Sequence, residues 1–183
     1  MSQIRTVAIV GGTHGNEVTG IYLLKKWQKN VSPVTRASFS TELVHGNPRA
    51  HKYNVRYCDQ DLNRQFAVKD LNNPHLAGNE QSRAKALNQQ LGPKGANPRV
   101  DFIIDLHTTT SNMGTTLLIE RQHPLYYQLA AYVKQRMPHC IIIRDEDDMA
   151  EEDNYLLCTL GRFGVIVEVG PTPQGTPFSS LVV

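Results

Sequence analysis

Short strand-like runs, spaced along the chain and separated by helical patterns, limit what this sequence can fold into. Residues 6–10, 41–45, 102–106, 115–119, 140–143 and 165–169 are too short for helices and rich in β-branched residues, so each predicts a strand. Val7-Ala8-Ile9-Val10 is apolar without alternation, the mark of a strand covered on both faces. Between the runs, residues 17–29, 79–91 and 125–137 predict helices, and 154–160 a shorter one. On the first helix Val18, Ile21, Leu24 and Trp27 recur every three residues and give a broad apolar side. Strands alternating with helices argue an α/β domain, with a mixed, largely parallel central sheet flanked by helices. Residues 46–79 stand apart. Pro48, Asn72-Asn73-Pro74 and Gly78 punctuate them and predict a mostly irregular connection, a kind of segment that usually carries function.

With 183 residues the chain suits one domain. A net charge of +2 gives no electrostatic case for nucleic acid or a membrane surface as partner. No apolar run reaches membrane-span length, and the N-terminus reads too short for a signal peptide. Cys58, Cys140 and Cys158 are scattered and form no CxxC, which predicts a reducing compartment and a cytoplasmic protein. A homo-oligomer is compatible with all of this.

The first strand runs into Gly11-Gly12-Thr13-His14-Gly15-Asn16-Glu17. A glycine turn between strand and helix suits a phosphate, but there is no Gly-Lys-Ser/Thr and the glycines miss the GxGxxG spacing. A metal suits it better, because His14 in the turn and Glu17 in the first helical turn can converge on one point. The pair alone reads equally as a turn histidine and a glutamate complementing the helix dipole. A third ligand would decide, and His107, directly after the strand at 102–106, is the candidate. Sites in open α/β sheets gather at the carboxyl ends of strands. His14, Glu17 and His107 would then form a His2Glu set with one open position, the pattern of a catalytic zinc.

Three further groups ask for a reaction around that ion. Arg56, and Asn63 beside Arg64, lie in the irregular segment and can hold a carboxylate with a guanidinium fork and an amide donor; a solvated basic loop would read the same way. Glu168 sits inside Val165-Ile166-Val167-Glu168-Val169. Partial burial there would lift its pKa toward that of a general base, although a salt-bridged strand glutamate fits the pattern too. Asp105, two residues before His107, reads as its brace or as a strand-end aspartate. His45, His51, His75, His123 and His139 read as surface or packing residues, and residues 145–148 and 151–153 as a solvated acidic loop.

Together the motifs GGTHGNE, NPRA (47–50), RYCDQDLNR (56–64), DLHTTTSNMG (105–114) and VEVGPTPQG (167–175) resemble the aspartoacylase and aminoacylase-3 family, over about residues 4–175. That family is similar in turn to the succinylglutamate desuccinylases and zinc carboxypeptidases. The resemblance implies a zinc carboxypeptidase-like fold and an amidohydrolase with one zinc per chain, acting on a small-molecule N-acyl amino acid. N-acetyl-L-aspartate, cleaved to acetate and L-aspartate, is the expected substrate. By the same resemblance His14, Glu17 and His107 match the zinc ligands, and Arg56 the arginine that polarises the scissile carbonyl. Asn63 and Arg64 match the pair that binds the substrate carboxylate, Glu168 the catalytic glutamate and Tyr155 a substrate-facing tyrosine.

Other N-acyl amino acids, a carboxypeptidase or desuccinylase activity, and a zinc-binding chain without turnover remain alternatives. Aspartate-specific members carry an arginine about ten residues before the catalytic glutamate. Here residues 154–159 read NYLLCT, and the nearest arginine is Arg162. The resemblance also implies a β-rich C-terminal domain beyond the catalytic one. We therefore expect an acylase catalytic domain over residues 1–175 and a short divergent tail, TPFSSLVV, over 176–183.

Overall fold

A computed structural model describes residues 3–95, 97–144 and 149–177 of the chain. The acidic stretch 145–148 and the end of the tail, 178–183, lie outside the described residues; residues 151–153 form an exposed turn.

Six strands pair into one sheet: β1 (Thr6–Gly11), β2 (Ser40–His45), β3 (Phe102–Thr108), β4 (Gly114–Ile119), β5 (Ile141–Arg144) and β6 (Phe163–Gly170). Their order is β2-β1-β3-β6-β4-β5. The first four in that order run parallel, and β4 and β5 run against them. The helices are α1 (Val18–Lys29), α2 (Pro48–Tyr53), α3 (Val68–Leu71), α4 (Asn79–Leu91) and α5 (Pro124–Arg136).

The unbroken apolar character of β1 has its reason in the two cores. Side chains alternate across a sheet. Val7 and Ile9 therefore join Leu24 of α1 and Tyr126 of α5 on one face, while Ala8 and Val10 join Ala84, Leu87 and Leu91 of α4 on the other. The edge strand β5 is less covered: Ile141 and Ile143 are exposed.

Three expectations need refinement or correction. Residues 46–79 are mostly irregular, as expected, yet they also hold α2, α3 and a 3-10 turn over Leu62–Arg64. Asn47 caps α2 by accepting from the Ala50 N–H, Pro48 opens the helix, and Asn54 closes it at φ 51°. Proline and asparagine here punctuate short helices set within the irregular run. Second, the helix expected over 154–160 shrinks to a 3-10 turn, Leu157–Leu160. The Asn154 side chain accepts from the Leu156 N–H at 3.0 Å, and Leu156 stays extended. Third, β3 runs to Thr108, so His107 lies within the strand rather than after it.

Candidate metal centre

Two strands, one turn and one loop build the site. β1 ends at Gly11 and the chain swings through Gly12, whose φ of +74° disfavours any side chain. A Cβ on Gly15 would lie 2.1 Å from the Ala50 carbonyl carbon, so the turn rests against α2 only because glycine stands there. The Gly15 N–H also donates to the Arg56 carbonyl at 3.1 Å, which fastens the loop that carries Arg56 to the same turn. Glu17 occupies the position before α1 but makes no capping bond. Its side chain turns to the histidines, so the dipole reading of the HxxE pair does not account for it.

His107 and Glu168 are register partners on adjacent parallel strands. By the two-residue period they share the face of Ile103 and Ile166 and stand side by side. The Glu17 carboxylate reaches that pair from the turn. Its Oε1 lies 2.7 Å from His14 Nδ1, and its Oε2 lies 3.0 Å from His107 Nδ1. It also accepts from the Thr108 N–H at 2.9 Å and from Arg56 Nη1 at 3.2 Å. His14, Glu17 and His107 are all buried, and one donor atom from each falls within 4.8 Å of the others.

Each imidazole is braced at its far nitrogen. His14 Nε2 meets Asp61 Oδ1 at 2.9 Å, and His107 Nε2 meets Asp105 Oδ2 at 2.8 Å. Asp105 is fully buried, and its other oxygen accepts from the Thr13 hydroxyl at 2.7 Å. With the proton on Nε2, toward the bracing carboxylate, each Nδ1 would turn its lone pair to Glu17. Lone pairs facing one another at these distances require positive charge between them. Two extra protons would serve, and one divalent cation would serve both contacts at once. Two imidazole nitrogens and a carboxylate oxygen form a donor set that suits zinc, so the residues fit the ion the motif implies.

The electrostatics agree. Burial alone would raise the Glu17 pKa, yet the charges and hydrogen bonds of His107 and His14 carry it well below the ordinary range. It is a carboxylate at neutral pH, as a ligand must be. Burial would depress His107, but Asp105 and Glu17 outweigh it and raise its proton affinity. Surroundings that favour a proton there favour any cation. Asp61 is likewise held low against its burial, mainly by the bond to His14.

Glu168 is the exception in this network. It is half-buried, and its Oε2 is enclosed without a hydrogen-bond partner among the described residues. Burial pushes its pKa above the ordinary value, although His107 pulls the other way.

The remaining expected residues flank the centre. Arg56 bridges Glu17 and Asp61, the latter at 3.1 Å, and its side chain is 46% exposed, so it can also meet a ligand. Asn63 is buried, and its Oδ1 accepts from the Leu157 N–H at 2.8 Å, so its Nδ2 is the atom of the amide that can still donate. Its backbone N–H donates to Asp61 Oδ1 at 2.8 Å. Arg64 lies over the Tyr155 ring, 4.7 Å from the centroid. Asn63, Arg64 and Tyr155 thus form one patch, tied to His14 through Asp61. Arg162 is elsewhere. It pairs with Asp101 at 2.9 Å just before β6, at the opposite end of the strand from Glu168.

Sequence reasoning missed Asp61 and Thr13. Asp61 could have been found, since Asp-x-Asn ending on an expected site residue is a turn signature. Thr13 carries no such signal. Of the other histidines, His45 packs on His51 at 5.0 Å, and His123 caps α5 and packs on Phe163.

Fold and donor set together place the chain among α/β proteins with a candidate metal site at their strand ends. More particularly, it belongs to the succinylglutamate desuccinylase/aspartoacylase catalytic domain family, whose model matches residues 3–180. It is 45% identical over 175 residues to a probable aspartoacylase of Trichodesmium erythraeum (strain IMS101), covering 96% of this chain and 59% of that one. It is 39% identical to the human N-acyl-aromatic-L-amino acid amidohydrolase (carboxylate-forming), covering 94% of this chain and 55% of that one. The crystal structure of murine aminoacylase 3 superposes with a TM-score of 0.91 at 35% identity, covering all of this chain and 61% of that one. The chain spans about three-fifths of the length of the curated relatives it matches first. Among the described residues no helix is long and apolar enough to cross a membrane.

Proposed function

We propose that residues 1–175 form the catalytic domain of a zinc-dependent amidohydrolase that removes the acyl group from N-acyl amino acids. The observation that carries this is the arrangement around Glu17: three buried donors aimed at one point, with the unpaired oxygen of Glu168 beside them. The names of the relatives, an aspartoacylase and an N-acyl-aromatic amino acid amidohydrolase, point to the same substrate class.

Each side chain then has a task. His14, Glu17 and His107 would hold the zinc, which would supply Lewis acidity and lower the pKa of water to about 7. Glu168 takes a proton from the attacking water and returns it to the departing amine nitrogen; a carboxylate with a raised pKa and a free oxygen suits both steps. Arg56 offers its guanidinium to the oxygen that gains charge, a contact worth about 10²–10³ in rate. Asn63, through Nδ2, and Arg64 hold the substrate carboxylate. Asp61 and Asp105 keep each imidazole in the tautomer that presents Nδ1.

N-acetyl-L-aspartate is the first substrate to test. A preference for uncharged side chains is the second reading, favoured by one observation. Arg162, the nearest arginine to the stretch where a second carboxylate would be held, is bound to Asp101 at the far end of the sheet. Turnover of N-acetyl-L-aspartate, N-acetylated aromatic amino acids, N-succinylglutamate and a peptide panel decides among them. Hydrolysis of an N-acyl amino acid, abolished by chelation and restored by zinc, is the expected result. Turnover of none of these by the zinc-loaded protein would sink the proposal.

A further inference from the structure

The first turn of α4 holds a carboxylate that the chemistry above does not use. Glu80 is fully buried. It accepts five hydrogen bonds: from Asn47 Nδ2 at 3.0 Å, Asn79 Nδ2 at 2.9 Å, and the backbone N–H groups of Cys58, Asp59 and Gln60 at 2.8, 2.9 and 3.2 Å. None of these donors is a cation. A buried charge is tolerated only when its surroundings replace water, and here a turn of backbone has wrapped round it to do so. The grip is reciprocal. Asp59, from that same turn, accepts the otherwise unpaired Asn79 N–H at the start of α4, at 2.7 Å.

The clamped amides are 58, 59 and 60. Arg56 lies two residues before them, and Asp61 follows directly. Asn47 extends the hold to the metal turn, because its own N–H donates to the Gly12 carbonyl at 2.7 Å. One carboxylate thus joins α4, the cap of α2, the metal turn and the loop that carries Arg56 and Asp61.

We propose that Glu80 is a positioning residue that sets Arg56 and Asp61 over the metal centre. The proposal rests on the reading of Arg56 as the group facing the reacting carbonyl, and deepens it. Arg56 is half exposed and, among the described residues, is held by Glu17, Asp61 and its own backbone. Freed amides at 58–60 would let both Arg56 and Asp61 drift. Misplacement by about an ångström is enough to cost on the order of 10²-fold in rate.

The test is Glu80→Gln, which keeps the size but turns an NH2 toward N–H donors. Phenylglyoxal modification of Arg56, followed by peptide mass spectrometry, reports its position without any need for turnover. The exposed Arg36 and Arg136 serve as internal references. The expected result is Arg56 modified several-fold faster, the references unchanged, zinc content unchanged, and kcat about 10- to 100-fold lower with KM changed far less. An unchanged Arg56 rate overturns the proposal, and so does an equal acceleration of all three arginines, which would mean general loosening. If Glu80→Gln does not fold, Asp59→Ala removes the exposed arm of the clamp and is judged by the same ratio of rates. If the wild type turns over no N-acyl amino acid, the reading of the reaction fails, while the Arg56 rate still decides whether Glu80 positions it.

Discussion

Glu17 and Glu80 are both buried glutamates on the same side of the molecule, and their partners differ in kind. Glu17 faces two imidazoles, a guanidinium and one amide. Glu80 faces five neutral N–H groups. Partners that can themselves lose or gain a proton can yield their place to a metal ion. Fixed amide dipoles cannot, so the carboxylate they saturate can only hold shape. Glu168 belongs to neither kind: it stands in the first region but keeps one oxygen unpaired. Burying a charge is costly in all three cases, and the fold meets that cost differently where chemistry is wanted and where rigidity is.

The sharpest way to break this comparison is at Glu168. Glu168→Gln removes the proton acceptor and little else. Turnover should fall by about 10³-fold with zinc stoichiometry unchanged, as read by steady-state kinetics and metal analysis of the same sample. A variant that keeps its rate would make Glu168 a packing residue.

A smaller effect separates the two regions by pH. Burial pushes Glu80 up, but Asn47 and the amides of 58–60 outweigh it and hold its pKa down to about 2, against an ordinary 4.5. A depressed carboxylate pKa contributes stability that is present above pH 4.5 and is lost as pH falls toward 2. Urea unfolding of metal-free wild type and Glu80→Gln should therefore show a stability gap that is wide near neutrality and closes across that window. A gap independent of pH would contradict it.

The smallest effect is expected at Asp105. Asp105→Asn leaves the ligands in place but weakens the brace on His107, and zinc affinity should drop by about 10- to 100-fold. Competition with a chromogenic chelator measures it. An unchanged affinity would reduce Asp105 to a strand-end aspartate.

Much of this was legible in the sequence because its signals were local. β1 announced itself by an unbroken apolar run, and the metal turn by glycines around His14. The alternation of strands and helices implied the sheet, and its strand ends implied where His107 would meet His14. What stayed hidden depends on partners distant in sequence. Glu80 reads as a first-turn glutamate of a polar helix, and nothing local says that amides twenty residues earlier wrap round it. Residues 46–79 were legible as mostly irregular, but the short helices within them stayed hidden, because their packing, through Leu62, Phe66 and Leu71, is tertiary. Arg162 could be placed at the wrong end of β6 only once the strand had direction and length.

The central claim is that side chains from β1's turn and from β3 meet at one cation. Zinc stoichiometry and affinity of the purified chain, beside His107→Ala, test it most directly. One tightly bound zinc per chain is expected, lost or weakened by orders of magnitude in the variant, with the fold retained by circular dichroism. A wild type that binds no zinc, or a variant that binds it equally well, would contradict it.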